Sequence, residues 1–587
     1  MTVANDEGEA EFHVKHRLTP LSAKLKESLA GWLAPQEAEA YQHKAENQKT
    51  KGISHLKNIN NKESIMSKVE VERKKRFSKS MLWDLQRGYF EEQGIFAWVN
   101  QVPYFVTSNS YVGETYANMV ISFIRDWISN HPESKSHPFY IMELGTGSGQ
   151  LSFYINKKLH ELRKAFNLEE IKFCYVMTDF TSHNIQYWET HKAFKSFLEK
   201  GELDFAVYNM EEEKANIHLM HANKTLKTED FKNPLIVFAN YIFDTVSHDA
   251  FRIVDDQLQE LRISLQTDPS NMKNGRPIAG DKVEIEYHSC QIPGAFYEDK
   301  EFEAILRDYP HHLKNTYLLM PIGALKTIRA LHKLSGGKML MISTDKGYSR
   351  LQDLNNLGKP HIAFHGSFSM MVNFHAIKTY VERLGGAVFD QSPRHGIKTI
   401  VCELGFSIKD LPHFKYAVEQ YVDRFAAADY FSLHQHMTSV NPTALALDVI
   451  AAHLKLSSYD PYVLHKLVKR INENIAKADY VTQLAFKEIM PKIVENYYHM
   501  PKSHDTCFDV GLFFHTLKDY QTALKYYQQS EEYFGESYNI CYNYGLCHYY
   551  AGDPVTAFKY FKRAAAIKPD SKEAQEWMVY IGEQEKS

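Results

Sequence analysis

The residues best suited to chemistry stand at the ends of short apolar runs. Ile141-Met142-Glu143-Leu144-Gly145-Thr146-Gly147-Ser148-Gly149-Gln150 is such a run, closed by an acid and a turn with three glycines. Glycines at 145, 147 and 149 permit positive φ and let the backbone approach a ligand closely. A dinucleotide-binding fingerprint needs a further glycine at position 150, which is Gln150. Glu143, two residues before the first glycine, instead suits a ligand carrying a cationic amino group. The next runs end in Val176-Met177-Thr178-Asp179, Val207-Tyr208-Asn209-Met210 and Phe238-Ala239-Asn240-Tyr241-Ile242-Phe243-Asp244. An amide oxygen on Asn240 among aromatic faces can hold a planar nitrogen, and Asp244 can withdraw a proton from a charged acceptor. Each residue has a plainer alternative. Glu143 and Asp179 can cap helices, Asn209 can form a turn, Asn240 can cap while Phe243 fills the core, and Asp244 can sit in a salt bridge.

Such residues need a frame, and from about 80 to 405 short β-branched runs alternate with helical segments, as in a parallel sheet covered by helices. The runs are Phe139 to Leu144, Phe173 to Thr178, Asp204 to Tyr208, Leu235 to Ala239, Lys338 to Ser343 and Thr399 to Leu404. Strand ends at one edge of a parallel sheet are where α/β proteins bind ligands. An insertion at about 250–320 carries two alternating segments, Phe251 to Leu265 and Lys282 to Ile292, that predict a hairpin or small subsheet. Residues 1–79 read as a polar, partly helical arm, amphipathic over Leu18 to Leu33 and polar over Asn47 to Asn61. Its basic run Arg73-Lys74-Lys75-Arg76 reads as a solvated helix face. After 406 the pattern is helical. From 504 to 587 it repeats every 34 residues, pairing Gly511 with Gly545, Ala523 with Ala557 and Tyr527 with Phe561. That is the period of the tetratricopeptide helix-turn-helix. Residues 406–503 read as a helical domain, in which Tyr416 to Tyr498 are expected to add helices to the same stack.

Glu143 to Gly149 resembles motif I of the class I S-adenosylmethionine-dependent methyltransferases. The resemblance implies a Rossmann-like, mostly parallel seven-stranded sheet. It also implies S-adenosyl-L-methionine bound by Glu143, Gly145, Thr146, Gly147, Gly149, Asp179, Asn209 and Met210, with Asp179 on the ribose hydroxyls and Asn209 facing the adenine. Over about 138 to 405 the chain is similar, more narrowly, to the MidA-like proteins and the mitochondrial complex I assembly methyltransferase. The similarity rests on Ala239-Asn240-Tyr241-Ile242-Phe243-Asp244-Thr245, where those relatives read approximately Ala-Asn-Glu-Phe-Phe-Asp-Ala. Ser343-Thr344-Asp345-Lys346-Gly347-Tyr348 and Met371-Val372-Asn373-Phe374 also carry it. Tyr241 replaces a glutamate that could hold a guanidinium, and the C-terminal helices lie outside that family. The implied reaction is in-line methyl transfer, with Asn240 and Asp244 nearest the acceptor, a protein nitrogen recognised with help from the helical repeats. The alternative is a methyltransferase-like scaffold without catalysis.

Composition narrows the partners. With a net charge of −4 over 587 residues, nothing calls for a polyanion, so nucleic acid is not expected. No apolar run is long enough for a membrane span, and the acidic start predicts a cytoplasmic protein. Six cysteines form no CxxC pair and read as reduced core residues. His311, His312, His361, His365 and His375 lack metal-ligand spacing, so no metal is expected.

Overall fold

The computed structural model describes residues 68–100, 105, 106, 108–214, 216–394, 396–439 and 445–584. The amphipathic and polar stretches expected before residue 68 lie outside these. Twelve strands matter for the site: β1 (Val69–Lys75), β2 (Phe139–Glu143), β3 (Phe173–Asp179), β4 (Leu203–Val207), β5 (Leu235–Asn240), β6 (Asp249–Val254), β7 (Gln257–Thr267), β8 (Val283–Gln291), β9 (Thr316–Met320), β10 (Met339–Tyr348), β11 (Ala387–Asp390) and β12 (Ile397–Leu404).

The main sheet runs β11-β12-β10-β5-β2-β3-β4. The five strands from β10 to β4 are mutually parallel, and β12 is antiparallel to both its neighbours. A two-residue strand, Val372–Asn373, pairs with the end of β10. The strands are apolar throughout because both faces are covered. Tyr140, Met142, Val176, Val237 and Met341 enter one core, and Ile141, Tyr175, Met177, Phe238 and Ile342 enter the other. From β2 the chain builds outward through β3 and β4, then crosses to β5 on the opposite side. The C-terminal edge between β2 and β5 is therefore a topological switch point, where a crevice opens.

The insertion forms a second, antiparallel sheet in the order β1-β7-β6-β9, with β8 also on β7. Two expectations need correction here. The alternation from Phe251 to Leu265 is two strands, because Asp255 and Asp256 take φ of +49° and +58° in a tight hairpin turn. The basic run is extended: β1 pairs with β7, and Arg76 closes an ion pair with buried Asp249 at 2.7 Å. The tail of the expected helical arm is thus an integral strand, stabilised by a partner distant in sequence.

The helices after residue 406 fall into two cores. The helix Pro412–Val418 packs against Ser110–Asn130 in the core of the main sheet. Helices Leu447–Leu456, Pro461–Asn474 and Tyr480–Glu495 instead share one core with Thr506–Thr516, Tyr520–Phe534 and Tyr538–Tyr550. The 34-residue register has a direct physical basis. A Cβ on Gly511 would lie 2.6 Å from the Tyr527 ring, and one on Gly545 2.7 Å from Phe561, so each glycine lets an aromatic ring of the paired helix seat against backbone. Asp519 and Asp553 cap the second helix of each pair, accepting from Thr522 and Thr556 N–H. Among the described residues, no helix is long and apolar enough to cross a membrane. All six cysteines are free, five of them buried.

Candidate functional site

The chain leaves β2 at Glu143 and turns through Gly145, Gly147 and Gly149 at φ of +59°, +62° and +82°. A Cβ on Gly145 would sit 2.4 Å from Ile242 Cδ1, and one on Gly147 2.6 Å from Trp98 Cζ2. The turn is tied to β3 by Thr146, whose N–H donates to Thr178 O at 2.8 Å and whose Oγ1 accepts from Thr178 N–H at 3.2 Å. Glu143 is 3% exposed, and its carboxyl accepts from Ser152 Oγ and from Tyr175 OH at 2.9 Å. Burial nonetheless pushes it up to about 7, against the pull of those hydrogen bonds.

Asp179 closes β3 at the same edge. Its Oδ2 accepts from Gly147 N–H at 3.3 Å and Asn184 Nδ2 at 2.9 Å, and its Oδ1 from Thr181 N–H at 3.1 Å. Burial raises this carboxyl too, with hydrogen bonds from the Asn184 side chain and the Thr181, Gly147 and Phe180 N–H groups opposing. Asp179 therefore braces the glycine turn as well as facing the cleft. Asn209 forms a turn: its Oδ1 accepts from Glu211 N–H and its Nδ2 donates to Glu212, both at 3.0 Å. It still lines the cleft, as does Met210.

Asn240, at the end of β5, is 9% exposed and accepts from Tyr116 OH at 3.0 Å. Tyr241 lines the cleft at φ +51°, whereas Phe243 lies wholly in the core. The aromatic wall beside Asn240 is therefore Tyr241, because the positive-φ turn sends Phe243 inward. Asp244 adopts its salt-bridge alternative, with Oδ2 3.7 Å from Lys346 Nζ and both residues buried. Its N–H donates to Asp345 Oδ2 at 3.0 Å. Both carboxyls are raised: Asp244 by burial, with Lys346 opposing, and Asp345 by burial and then by Asp244. Lys346 also donates to Ser369 Oγ, which lies 3.1 Å from His365 Nε2. Burial, and then Lys346, push His365 down to about 4, leaving a neutral imidazole.

Glu143, Gly145, Thr146, Asp179, Asn209, Met210, Asn240 and Asp244 thus line one cleft. Gly147 and Gly149 support it from behind. Gln86, Phe90 and Trp98 add a wall from helices Leu82–Gln93 and Phe96–Asn100, and Lys346, His365 and Ser369 line the cleft beside Asp244. Sequence reasoning missed this second set. Trp98 carries no motif, and His365 offered only a histidine among 29. Lys346 had a usable signal in its place after Asp345 at the end of a strand.

The helical region also reaches the site. Tyr498, in the strap between helices Tyr480–Glu495 and Thr506–Thr516, donates its hydroxyl to Ser148 O at 2.8 Å. Its ring stacks on His191 at 4.2 Å between centroids. Gly149 makes room for it, since a Cβ there would lie 2.8 Å from the Tyr498 oxygen. Tyr187 OH at 2.9 Å and His191 Nε2 at 2.8 Å hold His499 O beside it.

No family model and no curated protein matches the chain. Among the solved structures similar to the chain are three from Burkholderia thailandensis. An uncharacterized ACR, COG1565 superfamily protein is 9% identical over 56% of this chain and 94% of its own, with a TM-score of 0.33. A COG1565 superfamily member described as a candidate methyl transferase, bound to S-adenosyl-homocysteine, is 10% identical over 56% of this chain and 94% of its own, with a TM-score of 0.33. An O-methyltransferase family protein is 7% identical over 55% of this chain and 70% of its own, with a TM-score of 0.22.

Proposed function

We propose that the chain is an S-adenosylmethionine-dependent methyltransferase of class I architecture that methylates a nitrogen of a protein side chain. The observation that carries this reading is the convergence of Glu143, Asp179 and Asn240 on one cleft. They stand at the C-terminal ends of three adjacent parallel strands, around a turn of three positive-φ glycines. The donor set fits the cofactor. Glu143 offers a carboxylate for its amino group, the Asp179 carboxyl at the cleft suits a ribose hydroxyl, and Phe180 and Met210 supply apolar lining for the adenine. When bound, the cofactor supplies an electrophilic methyl group on a sulfonium.

The chain's own contribution is alignment and exclusion of water. Asn240 Oδ1, oriented by Tyr116 OH, accepts from the acceptor nitrogen, and Tyr241 flanks it. Asp244, raised by burial yet held beside Lys346, is the group placed to take a proton from a charged amine. The helical repeats present a surface for a protein substrate.

Titration calorimetry with S-adenosylmethionine and, separately, S-adenosylhomocysteine tests the cofactor. Micromolar binding of both is expected, and absence of heat with either would overturn the reading. Transfer of a labelled methyl group to proteins of a cell extract tests turnover. Cofactor binding without transfer would leave the scaffold alternative in its place.

A further inference from the structure

Away from the cleft, three ligand-type side chains meet where the strap joins the repeat helices. His465 stands on Pro461–Asn474, His504 just ahead of Thr506–Thr516, and Asp509 on the first turn of that helix. One ligand atom from each lies within 4.8 Å of the other two. His504 Nε2 is 2.5 Å from Asp509 Oδ2, and the His465 and His504 rings have centroids 3.7 Å apart. Nδ1 of His465 is buried without a hydrogen-bond partner among the described residues. Helix capping does not account for Asp509, because Asp505 caps that helix, accepting from Phe508 N–H at 2.8 Å.

Two imidazoles packed ring to ring beside a carboxylate leave a buried ring nitrogen unsatisfied, and a bound cation satisfies it. We propose that His465, His504 and Asp509 form a site for a divalent transition metal, with zinc the best match to two imidazoles and one carboxylate. All-oxygen cations such as calcium are disfavoured by the two nitrogens. Zinc bonds of about 2.0 to 2.1 Å set tetrahedral ligands roughly 3.3 Å apart. The His504–Asp509 pair, at 2.5 Å, therefore opens slightly on binding. The His504 side chain, 40% exposed, has the freedom to move and leaves a solvent-facing fourth position. The site joins residues 39 apart in sequence and anchors the end of the strap opposite Tyr498. It is independent of the methyltransferase reading.

The test uses the full chain, stripped with a chelator and titrated with zinc and with cobalt(II). One equivalent bound at micromolar affinity or tighter, a higher thermal unfolding temperature and tetrahedral-type cobalt absorption are expected. His465→Gln and Asp509→Asn should each weaken zinc binding by at least about tenfold, the scale already seen when second-shell partners of a metal are lost. Circular dichroism establishes that each variant is folded, and either one alone suffices. No binding of zinc or cobalt, or zinc binding unchanged in a folded variant, overturns the proposal.

Discussion

Tyr498→Phe tests whether the helical region holds the glycine turn. The substitution keeps the ring stacked on His191 and packed beside Phe153 and removes only the hydroxyl that donates to Ser148 O at 2.8 Å. A buried hydrogen bond contributes about 1 kcal/mol net, and a carbonyl left unsatisfied costs about 1 to 3 kcal/mol. Stability to urea, followed by circular dichroism, should therefore fall by about 1 to 3 kcal/mol. Affinity for S-adenosylhomocysteine, measured by calorimetry, should fall as the turn relaxes. A bond of about 1 kcal/mol limits that loss to about fivefold. Lower stability with unchanged affinity would refute the idea that Tyr498 shapes the turn. No change in either would mean that the Ser148 carbonyl is satisfied without it.

Gly147→Arg should abolish S-adenosylhomocysteine binding, because its Cβ would meet Trp98 at 2.6 Å in a positive-φ turn; calorimetry reads this, and circular dichroism should show the helices intact. The Glu143 carboxyl, raised by burial to about 7, is mostly protonated below that pH and must ionise to meet a cationic amine. Affinity should therefore rise about tenfold from pH 6 to pH 8, and Glu143→Gln should flatten the dependence. The sign for the free protein is opposite. A raised acid favours folding at low pH, so this contribution is lost as pH climbs from the ordinary glutamate range through about 7, which urea unfolding across that window measures. Gly545→Ala places a Cβ 2.7 Å from Phe561 and should destabilise the repeat helices by about 1 to 3 kcal/mol, read by urea unfolding, with cofactor affinity unchanged.

What the sequence determined by itself is whatever a local pattern encodes. Buried parallel strands read as apolar runs, so β2, β3, β4 and β5 and the polar residues at their ends were placed to within a residue or two. The glycine turn was legible because only glycine takes three positive φ values at that spacing without strain. The helical repeats were legible because glycine and aromatic partners recur in fixed register within each pair.

Tertiary structure decided the rest, since it turns on contacts that leave no periodic trace. β1 reads as a charged segment, yet β7, nearly two hundred residues on, makes it a strand. The Asp244 partnership with Lys346, the wall supplied by Trp98 and the Tyr498 bond to Ser148 across 350 residues arise only when separate elements meet. Side chains of ordinary type acquired their roles there because burial and proximity, rather than residue identity, set their protonation and partners.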